Sequence, residues 1–260
     1  MYRKVIMKHF FSFSIVLVTM VNIYSESTEN SDSVKMMYSL QTFNACKNLE
    51  HIQKKLLCIK DEHIQIISKD PFICLLYDII TDEEAEHLKA AAMPKMKRSM
   101  VGTGEVSKVR TSSSAMFALH ETEEICKIEK RISSLCECPV EHIEGLQVVW
   151  YKTGEEFKPH YDYLETELKK MHNSQRFITC FIYLNDVEFM AAGETVFPKL
   201  DIKIRPKKNM GVLWFNVDYT GKEDERMLHG GAPVLQHEKW GVNVWIHNKP
   251  YTGNGINYLD

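Results

Sequence analysis

Val149-Trp150-Tyr151-Lys152-Thr153-Gly154-Glu155-Glu156-Phe157-Lys158-Pro159-His160-Tyr161-Asp162 begins in an apolar run, passes a glycine and a proline, and ends on His-x-Asp. The run belongs to a strand expected over 146–151. In extended backbone, residues i and i+2 point to one face, so His160 and Asp162 are presented together while Tyr161 faces away. Further strands are expected at 177–184, 194–198, 210–216 and 242–247, with Gly, Pro and Asn-Asp between them. In the last of these, Val242, Val244 and Ile246 alternate with Gly241, Asn243 and Trp245, which makes a strand with two distinct faces.

Upstream, Phe72-Ile73-Cys74-Leu75-Leu76-Tyr77 has the composition of a strand. Thr81 followed by Glu84 forms a capping box that opens a helix through Ala92. Ile125, Ile128, Ile132 and Leu135 recur at helical spacing and predict a second helix over about 122–136. Two helices followed by many short strands predict a mainly β domain, a sandwich or jelly roll buttressed on one side by helices.

The chain has 260 residues, 44% hydrophobic and 26% charged, enough for one substantial core. A net charge of −3 leaves no basic excess to neutralise a phosphate backbone, so nucleic acid is not an expected partner. Arg3, Lys4 and Lys8 precede an uncharged run from Phe10 to Tyr24 and then a polar stretch, the layout of a secretory signal cleaved near Ser25. The run is short for a bilayer core of about 30 Å, so no stable membrane span is expected, an uncleaved anchor being the alternative. The expected divisions are a signal peptide at 1–25, a short helical lead-in at 26–70, one domain at 71–250 and a tail at 251–260. Seven cysteines in an exported chain leave at least one unpaired or paired between chains. Cys46 and Cys58, flanking a polar helix-like segment, are the expected bridge, whereas Cys74 and Cys180 in apolar runs read as buried thiols. No Asn-x-Ser/Thr acceptor is present, and the final Asn257-Tyr258-Leu259-Asp260 is not a retention signal.

His160 and Asp162 alone are an ordinary pair. A facial triad of two His and one carboxylate needs a third ligand, and His229 in Leu228-His229-Gly230-Gly231 is the candidate, its glycines allowing close backbone approach. Lys239 follows ten residues later, on the next strand. A lysine facing inward is costly unless a carboxylate meets it, and the distal carboxylate of 2-oxoglutarate is such a partner.

With the quoted stretch, Arg110-Thr111-Ser112-Ser113-Ser114, Tyr183-Leu184-Asn185-Asp186-Val187, Gly193-Glu194-Thr195-Val196-Phe197-Pro198, Pro233-Val234-Leu235 and Lys239-Trp240 with Trp245-Ile246-His247 occur in an order that resembles the prolyl 4-hydroxylase family. The resemblance spans roughly 70–250 and implies a double-stranded β-helix whose mouth holds iron(II). It supports His160, Asp162 and His229 as ligands and Lys239 as the salt-bridge partner of 2-oxoglutarate. Tyr151 and Thr195 match positions that hydrogen-bond this co-substrate, and Arg176 and His247 match positions lining the peptide groove. Trp214 and Trp245 read as core, although an aromatic wall there would suit a proline ring. The implied activity is hydroxylation of peptidyl proline to 4-hydroxyproline, with ascorbate re-reducing ferric iron, on collagen-like or other proline-rich polypeptides in the endoplasmic reticulum lumen. Other peptidyl or small-molecule substrates, or a silent subunit that binds proline-rich chains, are the alternatives. A protein disulfide isomerase-type subunit is the partner implied, and it would account for retention.

The sequence departs from the family pattern in three places. Ala192 stands where the family usually has the first glycine of a pair, which is expected to stiffen a turn. Ala232 stands where collagen-type animal members tend to carry a cysteine, and no cysteine follows in the tail to bridge it. The long N-terminal region of the collagen-type subunits is reduced to 26–70, where Cys46 and Cys58 resemble its final cysteine pair.

Overall fold

The computed structural model describes residues 45–59, 61–101, 105–106 and 108–255. The expected signal segment lies outside the described residues. The chain runs α1 (Ala45–Cys58), β1 (Ile64–Lys69), β2 (Phe72–Leu76), α2 (Asp82–Ala92), β3 (Lys97–Arg98), β4 (Met100–Val101), β5 (Glu105–Val106), β6 (Ser113–Met116) and α3 (Glu123–Leu135). It continues through β7 (Gln147–Lys152), β8 (Phe157–His160), α4 (Thr166–His172), β9 (Arg176–Tyr183), β10 (Thr195–Phe197), β11 (Ile202–Ile204), β12 (Gly211–Phe215), β13 (His229–Gly231) and β14 (Glu238–His247).

Two antiparallel sheets carry the fold: an eight-stranded sheet ordered β1-β2-β12-β9-β14-β7-β6-β3 and a four-stranded sheet ordered β11-β10-β13-β8. This is the jelly-roll arrangement expected from the many short strands. Cys74, Cys180, Ile182, Leu213, Val242 and Val244 join the core beneath the helices. Ile73, Phe181, Tyr183, Val212 and Trp214, on the same strands, join a second core between the sheets. The alternation read in β14 is therefore real. Its valines face the helices, whereas Lys239, Asn243 and Trp245 face the cavity between the sheets.

The helices bury one stripe each. Leu88 and Ala85 of α2, and Ile125, Ile128 and Ile132 of α3, are fully buried. Thr81 and Glu84 complete both halves of the capping box, and Thr122 caps α3 through the Ile125 amide. Arg131 grips the Glu84 carboxylate with two bonds of 2.8 and 2.9 Å, tying α3 to the start of α2.

Three expectations are corrected. The described residues of the stretch 26–70 supply more than a lead-in: Leu49, Ile52 and Leu56 of α1 are 1% exposed in the main core, and β1 is an edge strand of the large sheet. Spacings of three and four along α1 make the stripe that docks there, and full burial stabilises by roughly 1.5–3 kcal/mol per such side chain. The domain start placed at residue 71 thus falls inside the β1–β2 hairpin. The Cys46–Cys58 bridge is not formed, and Cys58 is an exposed thiol. The two cysteines stand at opposite ends of α1, about 18 Å apart along its axis, whereas a disulfide needs Cα atoms within about 7 Å. Ala192 does more than stiffen its turn: at φ 55°, ψ −134° it occupies backbone space that glycine tolerates and alanine does not.

Candidate active site

Strands β8 and β13 lie side by side in the small sheet, and their register sets His229 directly opposite His160. That pairing requires close approach. A Cβ on Gly230 would stand 2.8 Å from the Phe157 carbonyl oxygen, so only glycine fits. Asp162 follows β8 by two residues and turns its carboxylate between the two rings. His160 Nε2 is 3.7 Å from Asp162 Oδ1, and His229 Nε2 is 3.5 Å from Asp162 Oδ2. The donor atoms of the three lie within 4.8 Å of one another, the spread a single ion can bridge.

The tautomers suit ligation. His160 Nδ1 lies 2.9 Å from the Lys158 carbonyl and His229 Nδ1 lies 2.9 Å from the Met227 carbonyl, each two residues back along the chain. A carbonyl only accepts, so each Nδ1 carries the hydrogen and each Nε2 lone pair is turned to the centre. Burial alone would raise the Asp162 carboxyl, but the adjacent His229 and His160 rings outweigh it and hold the group well below the usual carboxylate range. Burial, reinforced by His229, lowers His160. The site is a buried carboxylate flanked by two imidazoles whose Nε2 atoms face it. Two imidazoles and one carboxylate on one side of a pocket match the facial triad that suits non-haem iron(II).

Lys239 reaches the same pocket from β14, paired in register with Tyr151 of β7. The lysine is 1% exposed, its ammonium donates to the Gly193 carbonyl at 2.7 Å, and no carboxylate pairs with it among the described residues. Burial drives its pKa from 10.5 down to about 7. A Cβ on Gly231 would sit 3.5 Å from Lys239 Nζ and 3.8 Å from the Tyr151 hydroxyl, so the glycine leaves open the space in front of both. Thr195, opposite Gly231 in the small sheet, accepts from the Tyr183 hydroxyl at 2.7 Å and keeps its own hydrogen to donate. Tyr151 hydrogen-bonds with Ser112 and with the buried Arg110. An unpaired cation beside hydroxyls, next to a triad, fits a small dicarboxylate that also chelates the metal.

Arg176 and His247 meet across β9 and β14, and both converge on Glu144. Arg176 grips it from Nε at 2.5 Å and Nη2 at 2.9 Å, and His247 Nε2 lies 2.6 Å from it. Burial is outweighed by Arg176 and His247, which hold Glu144 at about 2. His247 is 1% exposed, and its other nitrogen is engaged by Ser174 at 2.8 Å, so it braces Glu144 and has no ring nitrogen left for a peptide. Arg176 stacks over the Trp245 indole at 3.8 Å. Trp245 lines the pocket, and its buried Nε1–H has no acceptor among the described residues.

The sequence did not single out Glu144, Thr179 or Asn216 for a role. Thr179 carried a signal, being the one hydroxyl within the apolar run Phe177–Ile182. Glu144 and Asn216 sit in connecting segments with no pattern that marks them.

Comparison with known proteins agrees with this geometry. Residues 146–247 match the model of the 2OG-Fe(II) oxygenase superfamily. Prolyl 4-hydroxylase 5 of Arabidopsis thaliana is 36% identical over 208 residues, covering 71% of this chain and 71% of its own. The prolyl 4-hydroxylase subunit alpha-1 of Homo sapiens is 34% identical over 188 residues, 69% of this chain but 35% of that subunit. Among solved structures, the viral collagen prolyl hydroxylase vCPH of Paramecium Bursaria Chlorella virus-1, in its 2OG complex, superposes with a TM-score of 0.57 at 31% identity, over 67% of this chain and 95% of vCPH. By sequence and by architecture, the chain belongs to the prolyl 4-hydroxylase family of 2-oxoglutarate- and iron(II)-dependent oxygenases.

Proposed function

We propose that this protein hydroxylates peptidyl proline to 4-hydroxyproline in collagen-like or other proline-rich polypeptides of the secretory pathway. The observation that carries the proposal is the meeting of His160, Asp162 and His229 with a buried, unpaired Lys239 in one pocket. His160 Nε2, His229 Nε2 and an Asp162 oxygen would hold iron(II). Lys239, with Tyr151 and Thr195, would receive the distal carboxylate of 2-oxoglutarate. Iron(II) bound with 2-oxoglutarate and dioxygen supplies the oxidising power to replace a ring C–H by C–OH, with succinate and carbon dioxide as co-products.

The chain's own residues provide position and dryness. Phe181, Trp214 and Trp245 wall the pocket with apolar surface that excludes water and accommodates a proline ring. The orphaned Trp245 Nε1–H supports a peptide substrate, because a backbone carbonyl is the acceptor it lacks. Glu144, braced by His247, holds Arg176 flat on that indole and thereby sets its angle. Ascorbate as reductant, residence in the endoplasmic reticulum lumen and assembly with a disulfide isomerase-type subunit complete the proposal.

The test is a panel of proline-rich peptides, collagen-like and otherwise, incubated with the protein, iron(II), 2-oxoglutarate and ascorbate. A true substrate accelerates succinate release and gains the mass of one oxygen on proline, and Asp162→Asn loses both. Peptide binding with no succinate above a metal-free control supports a silent binding subunit instead. Oxygen found on another residue keeps the chemistry and overturns the substrate.

A further inference from the structure

The two candidate histidine ligands are fixed locally, each by a carbonyl two residues back along the chain. Asp162 has no such local anchor: it lies just beyond β8, and a carboxylate has two oxygens either of which, or both, can face a metal. What holds it comes from the large sheet. Thr179 Oγ1 of β9 lies 2.8 Å from Asp162 Oδ2, Asn216 Nδ2 lies 2.9 Å from Thr179 Oγ1, and Trp214 Nε1 lies 2.9 Å from Asn216 Oδ1. Thr179 and Asn216 are 0% and 1% exposed, so water does not compete for these bonds.

The polarity of this series follows from chemistry alone. An indole N–H can only donate, so the group facing it must be the Asn216 carbonyl oxygen, which turns the amide nitrogen to Thr179. An amide nitrogen can only donate, so the Thr179 oxygen accepts and its one hydrogen is directed to Asp162. Every bond in the series runs one way, from the indole to the carboxylate. The Trp214 ring also packs edge-on against His229, with ring centroids 4.7 Å apart. One side chain therefore steadies the His229 ring by contact and the Asp162 carboxylate through two intermediaries.

We infer that Trp214, Asn216 and Thr179 are positioning residues that hold Asp162 as a one-oxygen metal ligand: Thr179 occupies a lone pair of Oδ2 and fixes the carboxylate plane, so that the carboxylate cannot swing to chelate with both oxygens and take a coordination position that 2-oxoglutarate or dioxygen needs. The inference rests on His160, Asp162 and His229 being the metal ligands. It adds three residues that never touch the metal.

The test is titration of the purified full-length chain with Mn(II) alone, read by metal-bound signal and by the metal-induced shift in melting, in wild type and in Thr179→Val, Thr179→Ser and Trp214→Phe. Removing such an outer partner costs about 10–100-fold in metal affinity. Thr179→Val, nearly the same size without the hydroxyl, is expected to weaken Mn(II) binding by about that factor, and Thr179→Ser to restore it. Trp214→Phe keeps a ring against His229 but lets the Asn216 amide turn over, so its affinity falls in the same direction. Folded Thr179→Val that binds as wild type overturns the inference, as does a Thr179→Ser as weak as the valine variant, since that would make the methyl group rather than the hydroxyl decisive. If Thr179→Val does not fold, Trp214→Phe decides, and undiminished affinity there overturns the one-way series. Absence of binding in wild type would instead overturn the triad itself.

Discussion

Replacing Lys239 isolates the energetics of the proposed co-substrate site. In the folded chain the ammonium is 1% exposed, carries a hydrogen bond to the Gly193 carbonyl and is matched by no carboxylate among the described residues. Its fall from 10.5 to about 7 is the signature of that burial, and at 1.36 kcal/mol per pKa unit it corresponds to about 5 kcal/mol against the charged form. A carboxylate docked against Nζ relieves much of this, so the pair contributes about 3–5 kcal/mol to binding and Lys239→Ala raises the 2-oxoglutarate KM more than a hundredfold. The sign of the pH dependence follows from the same value. The folded pKa lies below the unfolded one, so the lysine opposes folding fully below pH 7 and progressively less as pH rises from about 7 towards 10.5. Binding of the anion requires the protonated form, so affinity for 2-oxoglutarate falls as pH rises through about 7, and Lys239→Arg removes that dependence because guanidinium stays charged. Lys239→Met, with no charge to bury, raises the melting temperature of the protein without co-substrate, in line with about 1–4 kcal/mol for replacing buried charge by apolar side chains. The assays are succinate release against 2-oxoglutarate concentration at several pH values, and thermal unfolding without co-substrate. An unchanged KM in Lys239→Ala would refute the assignment and shift attention to the buried Arg110.

His229→Ala removes one imidazole nitrogen while its strand neighbours remain, so succinate production is expected to vanish and the metal-induced rise in melting temperature with it, whereas circular dichroism is unchanged; full activity would end the triad assignment. Ala192→Gly relieves a side chain held at φ 55°, and after the entropy that glycine adds to the unfolded chain it is expected to stabilise by about 1 kcal/mol in urea unfolding. Destabilisation there would show that the turn is unstrained.

Local physics was legible in the residues themselves. Thr81 and Glu84 announce a capping box because both halves lie within one turn, and Val242, Val244 and Ile246 announce a two-faced strand because the pleat has a period of two. His160 and Asp162 announce a shared face for the same reason, and the spacing of motifs as far as Lys239 carried the family. Distance along the chain decides nothing about neighbours across a sheet. Strand β12 lies between β2 and β9, so Asn216 meets Thr179 across 37 residues, and Glu144 meets His247 across 103. No periodicity reports such partners. The same limit misplaced Cys46 and Cys58, which one helix holds apart, and left α1 and β1 outside a core that their apolar stripe and pairing with β2 complete. Residue types and their periods determined the elements, the faces and the chemistry on offer. The order in which strands pair, set by burying both faces of the large sheet at once, decided which groups hold Asp162 and Arg176 in place and that Lys239 stands in the pocket without a partner.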